Sequence, residues 1–303
     1  MEKKTIEKLS KCDICPRRCN VNRLAGERGF CGCDDKIRIA LVSSHYFEEP
    51  CISGKEGSGT IFFSNCNLSC VYCQNYEISQ KGKGKEVSIE RLSEIMIEQQ
   101  DRGVNNINLV TGTMYIYQII EAIKLAKNKG LIIPIVYNTS GYETIETIRD
   151  LNGMVDIYLP DFKYYSNELA LKYSNCPHYF ENVTSSIKEM VNQIGENQFD
   201  NKGIMTRGVI IRHLILPNYI QNTKNILKWI KDNLRNNTYV SVMAQYFPTN
   251  KAKDIELLNR KINKKEYKEI ENYLFTLGLD EGYMQDLGDH EEEYVPDFDF
   301  RNV

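Results

Sequence analysis

Cys66, Cys70 and Cys73 stand as C-x3-C-x2-C in the run CNLSCVYC. Three thiolates this close can hold three irons of a cubane cluster and leave the fourth iron without a protein ligand. An open coordination position separates a catalytic metal centre from a structural one. The same run can instead be a zinc site completed by a fourth ligand from elsewhere. A second set, Cys12, Cys15, Cys19 and Cys31, is spaced C-x2-C-x3-C-x11-C, with Cys33 close by. Four thiolates at that spacing can close tetrahedrally on zinc or hold a second iron–sulfur cluster. Reduced, unliganded thiols in a loop are the plain alternative. Cys51 and Cys176 have no partner spacing and read as buried, incidental thiols.

The ten cysteines are unevenly placed, nine of them before Gln74. The opening MEKKTIEKLSKCD has no apolar signal stretch, and no apolar run approaches the ~18 residues of a membrane span. The expectation is therefore a cytoplasmic protein with no membrane partner. There thiols stay reduced, so clustered cysteines argue for metal or redox chemistry over disulfides. With 303 residues, 42% hydrophobic and 26% charged, the chain can bury a large core and is not disordered. The net charge of −3 hides an asymmetry. Asp280–Val303 holds nine acidic residues against one arginine, so the remainder carries +5. A mildly basic body suits an anionic substrate but falls far short of a nucleic-acid binder.

The positioning elements follow from periodicity. The first fifty-odd residues show little and read as irregular. From Gly59 on, apolar strands alternate with amphipathic helices. The strands are expected at Gly59–Ser64, Asn106–Thr111, Ile132–Tyr137, Val155–Pro160, Gly208–Leu216 and Tyr239–Tyr246. Helical faces between and after them are marked by Leu92/Ile95/Met96, Ile116/Ile119/Ile123, Ile145/Ile148, Ile187/Met190/Val191, Ile226/Leu227/Ile230 and Tyr267/Ile270/Leu274. Parallel neighbours need such crossovers, so the fold class is α/β. An open doubly wound sheet and an incomplete barrel both fit six units. In either, chemistry sits at the C-terminal strand ends, where the CNLSCVYC run begins.

With its aromatic residue before the last cysteine, that run resembles the signature of the radical S-adenosylmethionine (SAM) superfamily. CVYCQN and later segments are similar to the branch related to pyruvate formate-lyase activating enzyme, over roughly Gly59 to Pro248. The resemblance implies a partial (β/α)6 TIM-like barrel behind a cysteine-rich N-terminal extension. Together with the N-terminal cysteine spacing, which alone supplies the cap, it divides the chain into a metal-binding cap at 1–55, a core at 56–250 and a C-terminal helix with an acidic tail at 251–303. It implies a [4Fe–4S] cluster on Cys66, Cys70 and Cys73, with Tyr72 beside it. SAM on the open iron would be cleaved reductively to methionine and a 5′-deoxyadenosyl radical that abstracts hydrogen. An electron donor such as flavodoxin or ferredoxin is implied with it.

Thr111-Gly112 matches the segment approached by the SAM amino group, where glycine would let backbone come close to a ligand. Asn138-Thr139-Ser140-Gly141 is similar to the family's D-T-N-G, and Asp161-Phe162-Lys163 to its D-L-K. Asp161 can accept from ribose hydroxyls, and Lys163 can neutralise the amino-acid carboxylate. A salt-bridged pair at a strand end is the plainer reading of these two. Arg212, inside an apolar strand, needs a partner and matches an arginine near the SAM carboxylate or ribose. Gln245-Tyr246 stands where the activating enzymes have a histidine near adenine, and the Tyr246 ring can pack on the base.

In HYFEEP, His45 and Glu48 can line a substrate pocket as acid–base groups, or simply lie at a strand end. Lys81-Gly82-Lys83-Gly84-Lys85 lacks the Walker pattern and reads as a loop. The acidic tail, with Tyr283, Tyr294, Phe298 and Phe300, either covers the open side of the barrel or is solvated. Three enzymatic readings stand: a small-molecule substrate, with a nucleoside or phosphorylated nucleoside suiting the basic body and queuosine-type cleavage to the free base as a specific case; a glycyl-radical enzyme partner; or a peptide. An iron–sulfur or zinc electron carrier or assembly factor is the non-enzymatic alternative.

Overall fold

A computed structural model describes residues 1–235, 237–288 and 296–303. The strands are β1 (Ile37–His45), β2 (Ser58–Phe63), β3 (Lys85–Val87), β4 (Ile107–Val110), β5 (Ile135–Thr139), β6 (Ile157–Pro160), β7 (Gln198–Phe199), β8 (Met205–Leu214), β9 (Tyr239–Met243) and β10 (Gly282–Met284). They form one sheet in the order β10-β9-β8-β6-β5-β4-β2-β1-β3, with β7 paired to β8. The stretch from β2 through β4, β5, β6 and β8 to β9 is wholly parallel. Helices α1 (Lys3–Ser10), α2 (Pro50–Ser53), α3 (Tyr76–Ser79), α4 (Ile89–Asp101), α5 (Ile116–Asn128), α6 (Ile145–Asp150), α7 (Asn167–Ser174), α8 (Tyr179–Ile194), α9 (Ile220–Asn233) and α10 (Lys264–Leu277) complete the chain.

Strand residues alternate between two faces, as a pleated strand requires. Ile61, Phe63, Ile107, Leu109, Ile135, Tyr137, Val209 and Ile211 join the main core, to which α4, α5, α8 and α9 contribute. The intervening positions turn inward. Val136, Ile157, Leu159 and Ile210 meet Cys51 and Ile52 of α2 in a separate apolar cluster that plugs the interior. Several helices begin at side-chain caps. Ser88 and Thr144 accept from Arg91 N and Thr147 N, and Asn263 with Glu266 forms a capping box.

The α/β partial barrel agrees with the sequence reading, while several details differ. The first fifty-odd residues, expected to be irregular, contain α1, α2 and the nine-residue β1. Cysteine richness masked the apolar run IRIALV, which lies antiparallel on β2. β5 starts at Ile135 because Pro134 cannot donate to a ladder, and Ile132 is 87% exposed. β9, the sixth of the expected strands, stops at Met243, short of the expected Tyr246. No helix among the described residues is long and apolar enough to cross a membrane.

The C-terminal segment touches both edges of the barrel. β10 pairs with β9 at one edge, while Phe300 N donates to Ala40 O and Val42 N to Arg301 O along β1. Phe298 packs edge-on against Phe62. Tyr294 lies outside the described residues.

Candidate functional site

The loop after β2 is held by backbone bonds to the end of α7: Ser69 N donates to Ser174 O, and Val71 N to Tyr173 O. It thereby carries Cys66, Cys70 and Cys73 to one wall of a cavity of about 230 Å³. Each sulfur is met by polar groups, Cys66 Sγ also lying 3.9 Å from Asn67 Oδ1. Leu68 N approaches Cys66 Sγ at 3.4 Å, Ser174 Oγ approaches Cys70 Sγ at 2.9 Å, and Ser79 Oγ approaches Cys73 Sγ at 3.2 Å. Burial pushes all three thiols up, Cys70 to about 11, with nearby Lys163 pulling the other way. A bound metal would have to displace these protons.

The other strand ends supply the remaining walls. Thr111 follows β4, Asn138 and Thr139 close β5 with Ser140 after them, and Asp161 and Lys163 follow β6. Arg212 comes from within β8, and Met243 and Gln245 from the end of β9. Lys163 Nζ donates to Asp161 Oδ2. Burial works against the Lys163 charge, but Asp161 and the Cys70 sulfur outweigh it and its pKa is raised.

The opposite end of the cavity comes from β1. That strand runs antiparallel, so His45 sits beside Ser58 at the start of β2, the end remote from Cys66. From there Glu48 reaches into the lumen. Its Oε1 accepts from Asn108 Nδ2 at 3.0 Å and lies 3.4 Å from Asn138 Nδ2. Its Oε2 lies 2.9 Å from Arg212 Nη1, while Arg212 Nε lies 3.4 Å from Glu49 and 3.9 Å from Asp161. Burial opposes the Arg212 charge, and Glu49, Glu48 and Asp161 together more than restore it. Burial holds His45 below its ordinary value, so it is neutral at pH 7.

Of the residues singled out from the sequence, His45, Glu48, Cys66, Cys70, Tyr72, Cys73, Thr111, Asn138, Asp161, Lys163, Arg212 and Gln245 all line this cavity. Gly112 and Tyr246 do not. A Cβ on Gly112 would stand 2.7 Å from Ile119 Cδ1, and its φ of −82° is ordinary. Its smallness therefore serves core packing. The unusual backbone belongs to Thr111, whose φ of 60° is strained for a β-branched residue. Tyr246 is buried against Tyr72 and donates its hydroxyl to Leu258 O. The structure adds Ser174, Asn108 and Met243. Asn108 carried a signal as a polar residue inside an apolar strand, whereas Ser174, 104 positions from Cys70, carried none.

The cavity fits a cluster with a polar ligand beside it. Three thiols share one wall, and the Ser140 hydroxyl on the lining is buried without a hydrogen-bond partner. Among the described residues, no three or more His, Cys, Asp or Glu side chains are already placed to hold a metal ion. Both cysteine sets instead line cavities: Cys12, Cys15, Cys19 and Cys31 surround a separate one of about 20 Å³.

Comparison with known proteins bears on this geometry. Residues 60–230 match the Radical SAM superfamily. An uncharacterised protein of Methanocaldococcus jannaschii is 35% identical over 92% of this chain and 77% of its own length. The pyruvate formate-lyase-activating enzyme of Clostridium pasteurianum is 26% identical, covering 72% of this chain and 90% of that protein. The structure of Streptococcus suis SuiB bound to S-adenosylmethionine superposes with a TM-score of 0.50 at 13% identity. That superposition covers 77% of this chain, which spans half the length of SuiB.

Proposed function

The chain belongs to the radical SAM superfamily, and from that premise we propose that it acts on a small, polar, uncharged molecule in the barrel lumen, with a nucleoside as the specific case. It is an enzyme of a superfamily whose cofactors are a [4Fe–4S] cluster and SAM. When bound, these supply one-electron cleavage of SAM and a radical able to abstract hydrogen. Cys66, Cys70 and Cys73 hold the cluster in this reading. Asp161, Lys163, Asn138, Thr111 and Gln245 orient SAM beside it. His45, Glu48 and Arg212, at the far end of the cavity, contact the substrate. The apolar plug of α2 keeps water from entering behind it.

The charge balance of the lumen carries the substrate class. Lys163 and Arg212 are the cations of the described lining, and both are already paired with carboxylates. No unpaired cation is left there for a phosphate, so a neutral nucleoside fits where a phosphorylated one does not. Glu48 can accept from base-edge donors, which a queuosine-type nucleoside presents. All ten cysteines are unpaired, in keeping with a reducing cytoplasm.

The test is anaerobic reconstitution followed by dithionite, SAM and either the nucleoside or its 5′-monophosphate. The expected result is 5′-deoxyadenosine formation stimulated by the nucleoside, with release of the free base detected by mass spectrometry. Stimulation by the monophosphate alone would overturn the charge argument. A second reading is favoured by the likeness to the Clostridium enzyme along most of its length. It is the generation of a glycyl radical on a partner protein, and it predicts a persistent glycyl EPR signal when the two are mixed.

A further inference from the structure

We propose that Cys12, Cys15, Cys19 and Cys31 bind a single zinc ion, and that this site braces the loop carrying Cys66 from both sides. The four cysteines line one small cavity together with Arg17, Arg23 and Gly29. Its volume of about 20 Å³ accommodates roughly one water-sized body, which suits one ion and not a cube of four irons and four sulfides. The surrounding chain is built to aim thiols inward. Cys12 N donates to Val21 O, Asn20 N to Cys12 O and Arg18 N to Cys15 O, while Arg18 and Asn20 take left-handed backbone conformations. Any side chain at Gly29 would collide with Cys19, whose Sγ lies 2.7 Å from the position of a Cβ there. Cys33 lies beside the set, hydrogen-bonded to the Cys31 thiol and 3.4 Å from the Tyr115 hydroxyl, but does not line the cavity.

Arg23 is the independent observation. It is 1% exposed, and its guanidinium donates to carbonyls, Asp34 O at 2.6 and 2.8 Å and Met114 O at 2.6 Å. No carboxylate pairs with it among the described residues, because that of Asp34 is taken by Arg28 and Arg38. A guanidinium buried without a counter-charge is prohibitive, and the thiols around it, Cys33, Cys12 and Cys31, are the available source of one. Four thiolates around a divalent ion carry a net −2, which supplies it. Tetrahedral sulfur ligation suits zinc, and zinc outcompetes ferrous iron at such a site.

The brace follows from two bonds. Asn65 and Asn67 flank Cys66. Asn65 Nδ2 donates to Cys31 O at 2.8 Å, and Arg17 Nε, between Cys15 and Cys19, donates to Asn67 O at 3.1 Å. Ordering the four thiols on zinc thus fixes the two groups that hold the residues on either side of Cys66.

Metal analysis of the full chain, purified without chelator and reconstituted anaerobically, tests the first part. One zinc and four irons per chain are expected. Cys15→Ser and Cys19→Ser should lose the zinc, while the Cys66→Ala/Cys70→Ala/Cys73→Ala variant keeps zinc and loses iron. Should the cysteine variants fail to fold, cobalt added in place of zinc to the otherwise unaltered chain should give the intense ligand-field bands of a tetrahedral thiolate site. Eight irons without zinc, a fifth mononuclear iron, or no second metal would each overturn the assignment. For the brace, Arg17→Ala should keep its zinc yet lose iron to a chelator about tenfold faster, the scale of one charged hydrogen bond. An unchanged rate of iron loss would overturn the brace and leave the zinc site standing.

Discussion

Arg212 faces three carboxylates within the lumen, and this makes a substitution test with a change of sign. Its contacts of 2.9, 3.4 and 3.9 Å to Glu48, Glu49 and Asp161 are each worth about 4–6 kcal/mol at an effective dielectric near 20, before desolvation. Desolvation cancels most of that, and breaking one side of such a buried set costs about 3–5 kcal/mol net. Arg212→Met fits the apolar neighbourhood of Ile210 and Met243 but leaves Glu48 and Glu49 without a cation. It should lower the melting temperature by about 6–15 °C at a fixed scan rate. Glu48→Gln alone keeps an acceptor for Asn108 and should cost only about 1–2 kcal/mol. In the Arg212→Met background the same Glu48→Gln change should stabilise, because it removes a stranded carboxylate. The four proteins, loaded with iron and melted anaerobically by circular dichroism, form the cycle. Additive losses, with Glu48→Gln destabilising in both backgrounds, would refute the account of a charge-balanced lumen.

The hydroxyl of Ser174, 2.9 Å from Cys70 Sγ, should stabilise negative charge on the reduced cluster. Ser174→Ala should lower its midpoint potential by about 20–60 mV, the equivalent of one net hydrogen bond, read by EPR-monitored titration. His213 is buried between Phe162 O and the Thr223 hydroxyl, and burial pushes its pKa down to about 4. The unfolded chain therefore binds the extra proton first, and stability should fall as pH drops from about 6.5 toward 4. His213→Gln should flatten that limb; an unchanged slope in denaturant melts between pH 7 and pH 5 would exclude His213 as its source.

What the sequence made legible was chemistry that is local. The Cys66–Cys73 run contains its whole meaning in eight residues, and the apolar strands gave away the six parallel units because both faces are covered and they read as short continuous apolar runs. The misses are positions whose role depends on what arrives from elsewhere. Gly112 was read as a glycine near a ligand, yet Ile119 is what requires its small size. Tyr246, expected to end the sixth strand, lies beyond β9 and hands its hydroxyl to Leu258 O, away from the cavity. β1 escaped notice among the cysteines although it brings Glu48 to Arg212 across 164 positions of sequence.

One further signal lay in plain view within the strands themselves. Asn108, Asn138 and Arg212 each interrupt an apolar strand, and all three meet at Glu48. A buried polar side chain is costly unless paired, so such interruptions at one parity of successive parallel strands must face a common partner or a common cavity. The strand periodicity sorts them onto the lumen face and leaves Ile107, Tyr137 and Ile211 for the helices. The same polar interruptions that weaken these segments as strands therefore mark where the barrel is hollow, and they do so before any cofactor is considered.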